Sequence, residues 1–143
     1  MASHLFSPFS MRGLTLCNRV AVSPMCQYSA EDGSANDWHL MHLGNLAISG
    51  FGLVMTEAAA VESRGRITAS CLGLYSDANE HALARVVDFC KRHGTAALGI
   101  QLAHAGRKAS CQVPWKSGTP MAENVGGWPI VAPSAVALDD EHA

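Results

Sequence analysis

Two hydrophobic rhythms alternate along this chain: short β-branched runs, and longer stretches with apolar residues at helical spacing. Arg19-Val20-Ala21-Val22-Ser23 is a β-branched run closed by Pro24, and it predicts a strand whose C-terminal end carries Ser23 to Tyr28. Upstream, Leu5 to Leu16 holds two apolar stretches separated by Met11-Arg12-Gly13, the pattern of a small β-hairpin. Trp38 to Ser49 follows helical spacing. Leu40, Leu43 and Ala47 share a face, Asn36 or Asp37 can cap the start, and Gly50 can end it. Leu53-Val54-Met55-Thr56 is a second strand candidate. Asp77 to His93 is the clearest helix, with Leu83, Val86, Val87 and Cys90 in one stripe. Asp77 and Glu80 form a capping-box-like pair, and Lys91, Arg92 and His93 occupy the last turn before Gly94. Ala96 to Leu102 reads as a third strand, small and apolar enough for burial on both faces.

The order β-α-β-α-β calls for parallel strands joined by crossovers, hence an α/β fold. Periodicity alone does not choose between a doubly wound sheet and a (β/α)8 barrel. No G-x-G-x-x-G follows the first strand, which argues against a dinucleotide-type sheet. Polar residues gather just past the strand ends, at Ser23 to Tyr28, Glu57 to Ala60 and Gln101 to Lys108, as they do at the mouth of a barrel. The expected architecture is a hairpin followed by the first three βα units of a (β/α)8 TIM barrel. A whole barrel takes about 250 residues, so residues 1–143 are expected to be the N-terminal portion of such a domain. Within them, 113–143 contain Pro114, Pro120, Pro129 and Pro133 and are expected to form an irregular loop or lid, ending at Asp139-Asp140-Glu141-His142-Ala143 without a fourth strand.

Composition narrows the picture. A net charge of -2 gives no basic excess, so nucleic acid is not an expected partner. No apolar run reaches the roughly 20 residues of a membrane span. Met1 to Ser10 lacks the pattern of a signal peptide, so a cytoplasmic location is the default expectation. The cysteines are Cys17, Cys26, Cys71, Cys90 and Cys111. They form no C-x-x-C pair and read as separate reduced thiols, with Cys26 set apart by its position.

Four segments can carry chemistry. Ser23-Pro24-Met25-Cys26-Gln27-Tyr28 places a thiol and a phenol together at a strand end, where a buried Cys and a half-buried Tyr are the plain alternative. Glu57-Ala58-Ala59-Ala60-Val61 would let a flat ligand approach the backbone, although small residues also serve simple packing. In Gln101-Leu102-Ala103-His104-Ala105-Gly106-Arg107-Lys108, the Gln101 amide can both donate and accept, as the pyrimidine edge of a flavin requires. His39 and His42 lie at i and i+3 without an H-E-x-x-H motif, and read as hydrogen-bonded or surface histidines rather than metal ligands. No metal site is expected.

The chain resembles the NADH:flavin oxidoreductase, or old yellow enzyme, family from about Leu5 to about Val136. The motifs are L-F-S-P at Leu5 to Pro8, N-R-V at Asn18 to Val20, S-P-M-C-Q-Y at Ser23 to Tyr28 and W-H-x-x-H-L at Trp38 to Leu43. G-R-I-T at Gly65 to Thr68, S-D at Ser76 to Asp77, I-Q-L-A-H-A-G-R-K-A at Ile100 to Ala109 and A-P-S-A at Ala132 to Ala135 complete the set. The cysteine in S-P-M-C is similar to that of the xenobiotic-reductase-like subclass.

This resemblance implies FMN at the mouth of a (β/α)8 barrel and NAD(P)H as hydride donor. Ser23, Pro24 and Met25 would contact the flavin ring largely through backbone. Cys26 would lie at its reactive edge, Ala58 would bring backbone close, and Gln101 would pair with the pyrimidine edge. Tyr28 would bond the activating carbonyl of the substrate, so Cys26 and Tyr28 are the implied catalytic residues. The implied substrate is an electron-poor alkene, an α,β-unsaturated carbonyl or nitro compound. The family's fourth-strand histidine pair, its proton-donating tyrosine and its phosphate loops match nothing between Met1 and Ala143. The chain is therefore expected to need a complementing C-terminal fragment or a second copy. The alternative is a catalytically inactive truncated remnant that acts only by binding a partner chain.

Overall fold

The computed structural model describes residues 3–139. An antiparallel hairpin of β1 (Phe9–Met11) and β2 (Leu14–Leu16) comes first, turning through Arg12 with φ +50°. A parallel sheet follows, formed in spatial order by β3 (Ala21–Val22), β4 (Leu53–Ala60) and β5 (Ala97–Ala103). The helices α1 (Asp37–Ile48) and α2 (Asp77–His93) make the two crossovers, because parallel neighbours cannot be joined by a tight turn. All three strands run the same way, so their C-terminal ends share one rim. Among the described residues this is an α/β arrangement of the (β/α) kind whose sheet is not closed into a barrel.

Apolar burial sits between the sheet and the helices. Val22, Leu43, Ala47, Val54, Val86 and Cys90 form one cluster, and Ala59, Leu72 and Leu83 a second. The helices approach where α2 ends. A Cβ at Gly94 would stand 2.6 Å from the Ala47 carbonyl oxygen, so only glycine leaves room for the chain to turn into β5. Entry into β3 is fixed by Asn18. Its carboxamide donates to the Gly50 carbonyl at 2.7 Å and accepts from Val20 N–H at 3.0 Å, joining the end of α1 to the start of the sheet.

Several boundaries depart from the sequence expectations. β3 pairs over only two residues, because Pro24 and the loop behind it leave the ladder at once. β4 continues to Ala60, so Glu57 to Ala60 lie within the strand rather than past its end. The N-cap of α2 is Ser76, whose hydroxyl accepts from Asn79 N–H at 3.2 Å; Asp77 is the first helical residue. β5 is not buried on both faces: Gln101 is exposed and Leu102 is 60% exposed, because no strand among the described residues pairs its outer edge.

The register between β4 and β5 slips by one residue. Met55 opposes Gly99 and Ala58 opposes Gln101, so two residues of β4 stand against one of β5. This bulge makes Thr56 and Glu57 consecutive buried residues. Beyond β5 the chain is irregular apart from two turns of 3-10 helix, at Gly106–Lys108 and Glu123–Val125. Side chains bind this stretch to the body. The Trp128 indole donates to the Arg64 carbonyl at 2.9 Å, and Arg107 holds the Ser134 hydroxyl and the Val136 carbonyl. The expected tail residues Asp140 to Ala143, and Met1 and Ala2 at the other end, lie outside the described residues.

Candidate functional site

The rim at the C-terminal ends of β3, β4 and β5 gathers the residues singled out in the sequence. Ser23 to Tyr28 form the loop directly after β3; Ser23 and Met25 are exposed, and Pro24, Cys26 and Tyr28 half-buried. Ala58, half-buried on β4, is the register partner of Gln101 on β5. The Ala58 backbone is among the groups that act on the Cys26 thiol. Three segments far apart in the chain therefore meet across two neighbouring strand pairs. The Gln101 amide is engaged in no side-chain hydrogen bond among the described residues, and the residue is exposed.

The electrostatics favour the neutral forms of Cys26 and Tyr28. Burial pushes the Cys26 thiol above its ordinary 9.0, and the nearby Cys71 and Glu57 push it further. The Ala58 backbone contact and the Lys108 ammonium act in the opposite direction without overcoming burial. A thiol in such a setting is a weak hydrogen-bond donor rather than a thiolate nucleophile. Burial likewise lifts the Tyr28 phenol above 10.0, with Cys26 as the next cause, so it stays an O–H donor at neutral pH. Its ring meets Trp115 edge to face at 5.9 Å between centroids. Tyr28 also has φ +50°, a left-handed conformation that a bulky residue adopts only when its surroundings hold it.

Hollows flank this rim. One of about 310 Å³ is lined by Tyr28, Ile67, Thr68, Lys108, Cys111 and Pro114 among others. A more open one of about 530 Å³ lies between Arg107 and residues 130–137, and includes none of the predicted site residues. The rim is open rather than enclosed: Cys26, Ala58 and Gln101 share it through strand order and register, not through a common cavity. Small side chains, a neutral donor and an uncommitted two-sided amide fit the edge of a planar heteroaromatic group such as the isoalloxazine of FMN.

Some participants escape sequence reasoning. Glu57 is 4% exposed and accepts from Gln27 N–H at 3.1 Å through Oε2. His39, 1% exposed, faces its other oxygen at 3.3 Å. Gln27 accepts from the Trp38 indole at 3.1 Å. A signal for Glu57 exists: a lone carboxylate inside Leu53-Val54-Met55-Thr56-Glu57-Ala58-Ala59-Ala60 has to find buried partners. His39 is hydrogen-bonded, as expected, but His39 and His42 do not belong to a metal cluster among the described residues.

The class set by the fold is an open α/β sheet with its polar residues at one strand-end rim. The family model for the NADH:flavin oxidoreductase / NADH oxidase family matches residues 4–135, and the chain belongs to that family. It is 50% identical over 141 residues to NADH:flavin oxidoreductase FG08077 of Gibberella zeae, a match covering 96% of this chain and 34% of that protein. To an NADPH dehydrogenase of Geobacillus thermodenitrificans it is 43% identical over 142 residues, covering 98% and 37%. The crystal structure of Old Yellow Enzyme from Pichia sp. AKU4542 aligns with a TM-score of 0.79 at 25% identity, over 97% of this chain and 34% of that one. The chain thus spans about a third of the length of the curated relatives it matches.

Proposed function

We propose that this chain supplies the first wall of an FMN cradle in an NAD(P)H-dependent ene-reductase of the thiol-bearing, xenobiotic-reductase-like subclass. In this reading residues 1–143 are the N-terminal portion of an FMN-binding TIM-barrel domain. The observation that supports it is that the loop after β3, which carries Cys26, and the Ala58–Gln101 pair of β4 and β5 lie along one rim. Bound FMN would supply the hydride chemistry between NAD(P)H and an electron-poor alkene. Backbone at Ser23, Pro24, Met25 and Ala58 receives the ring at close range, Ala58 carrying no more than a methyl group. Gln101 offers both a donor and an acceptor to the ring's pyrimidine edge. The neutral Cys26 thiol donates weakly toward the cofactor and so tunes it. Tyr28, kept protonated, donates to the carbonyl or nitro oxygen of the substrate, where negative charge develops.

The open outer edge of β5 supports a requirement for further strands, from a complementing chain or a second copy, since unpaired parallel edges are normally covered. The test is FMN titration of the chain alone and mixed with a polypeptide supplying the remaining strands, followed by visible absorbance and flavin fluorescence. Yellow protein and enone reduction are expected in the mixture. Within that mixture Gln101→Ala is expected to weaken FMN binding by about 1–3 kcal/mol, the cost of unpaired polar groups, and Cys26→Ala to shift the flavin potential while retaining FMN. An unaltered FMN affinity in Gln101→Ala refutes the assigned edge, and NADPH-driven turnover by the chain alone refutes the need for completion.

A further inference from the structure

The loop that carries Cys26 and Tyr28 is held from beneath by a buried ionisable pair. The side chains of His39 on α1 and Glu57 on β4 are 1% and 3% exposed. The Asn36 N–H donates to His39 Nδ1 at 3.1 Å, which places the proton of the neutral ring on Nε2. The carboxamide oxygen of Asn36, also 3.0 Å from Nδ1, accepts from Trp38 N–H at 3.1 Å. Nε2 then faces Glu57 Oε1 across 3.3 Å, and neither atom has another partner among the described residues. A void of about 10 Å³ beneath the loop is lined by the pair together with Ser23, Met25 and His42.

The other carboxylate oxygen does the holding. Glu57 Oε2 accepts from Gln27 N–H at 3.1 Å, and that N–H belongs to the peptide joining Cys26 to Gln27. The Gln27 side chain is fixed as well: its amide donates to the Met25 carbonyl at 2.9 Å and accepts from the Trp38 indole at 3.1 Å. One residue therefore receives bonds from both α1 and β4, and its neighbours are the thiol and the strained, left-handed Tyr28. A hydrophobic pair would fill the same space more cheaply, since burying ionisable groups costs desolvation. What a carboxylate adds is an acceptor at each oxygen, one for the loop peptide and one for the imidazole.

We propose that Glu57, oriented by His39, is a positioning residue that sets where the Cys26 thiol and the Tyr28 phenol stand on the rim, with Gln27 as the point of attachment. The purpose assigned to the loop rests on the cradle reading above; the attachment itself does not. Groups facing the Cys26 thiol are Glu57 on β4, Cys71 in the segment after it, Lys108 after β5, and Tyr28 on its own loop.

The experiment is peptide-resolved mass spectrometry of iodoacetamide labelling on the 143-residue chain, run across a pH series. Exposed Cys17 and buried Cys90 serve as internal references. Glu57→Gln keeps the shape of the side chain but turns one acceptor into a donor. His39→Gln keeps an acceptor for the Asn36 N–H, as glutamine does in a capping box, and removes the ring facing Glu57. In both variants Cys26 is expected to label about fivefold faster, the factor one lost hydrogen bond is worth in a local opening. In Glu57→Gln the pH profile of Cys26 is also expected to move to lower pH, since a nearby negative charge is gone. Cys17 should keep its rate and Cys90 its protection. An unchanged Cys26 rate and profile overturns the proposal, and so does a rise shared equally by Cys90, which means general loosening. Neither outcome touches the cradle reading, because no flavin is present in the assay.

Discussion

Replacing Asn18 with alanine tests how the start of β3 is anchored to the rest of the chain. The Asn18 side chain makes two backbone bonds, to the Gly50 carbonyl at 2.7 Å and from Val20 N–H at 3.0 Å, and the residue is 9% exposed. Gly50 is exposed, so water can take over its carbonyl, and that bond is worth about 1 kcal/mol. Val20 is half-buried and its carbonyl already serves Gly52 N–H and Leu53 N–H at 2.9 and 3.3 Å. Its N–H has less access to water, and stranding it costs about 1–2 kcal/mol. Together Asn18→Ala should lose about 2–3 kcal/mol. At this length one kcal/mol moves a two-state midpoint by about 3 °C, so a fall in Tm of about 6–9 °C is expected. Thermal melting followed by circular dichroism reads it directly. Ser10→Ala is the control: the Ser10 and Thr15 hydroxyls meet at 2.9 Å on an exposed hairpin face, and the loss should stay within about 0.5 kcal/mol. A melt of Asn18→Ala within a degree or so of the parent, or no different from Ser10→Ala, would show that β3 is held by something other than this carboxamide.

Other expectations follow from the same structure. Ser76→Ala removes the N-cap of α2 and should cost about 1 kcal/mol in urea denaturation, whereas Glu80→Ala should cost much less; the reverse order refutes the assignment of the cap. Burial raises the thiols of Cys26, Cys90 and Cys111 and the phenols of Tyr28 and Tyr75 in the folded chain. Their stabilising contribution is complete below the unfolded values and is lost as pH rises through the folded ones. The Tm should therefore fall as pH rises past the ordinary thiol value of 9.0, and further past the ordinary phenol value of 10.0, and a flat profile would count against their burial.

How much the sequence discloses depends on whether a signal is local. α2 is legible to its ends, because its stripe of Leu83, Val86 and Cys90 and the cations before Gly94 all lie within one stretch. Its cap is misassigned by one position because Ser76 and Asp77 are both good caps, and only the backbone tells which of them is extended. The hairpin and the parallel order are legible for similar reasons. The half-exposed state of β5 is not, since nothing in Ala97 to Ala103 says whether a neighbour covers its outer edge. For the candidate site, motif resemblance names Cys26, Ala58 and Gln101, but their meeting depends on a register that no single segment encodes. The His39–Glu57 contact is harder still. His39 replaces the usual Glu or Gln of a capping box, and Glu57 looks from sequence like the first polar residue past a strand.

The slipped register of β4 gives the strand two independent halves. By simple alternation Ala58 would point the same way as Val54 and Thr56, and Glu57 the same way as Met55. One surplus residue reverses that parity, so the carboxylate turns toward α1 and the methyl of Ala58 toward Gln101. Removing Thr56 would restore plain alternation, with Met55 still opposite Gly99, Ala58 still opposite Gln101, and both keeping their directions. The surplus residue thus gives the strand a second inward-facing polar side chain at one level, without shifting the register on which the rim depends.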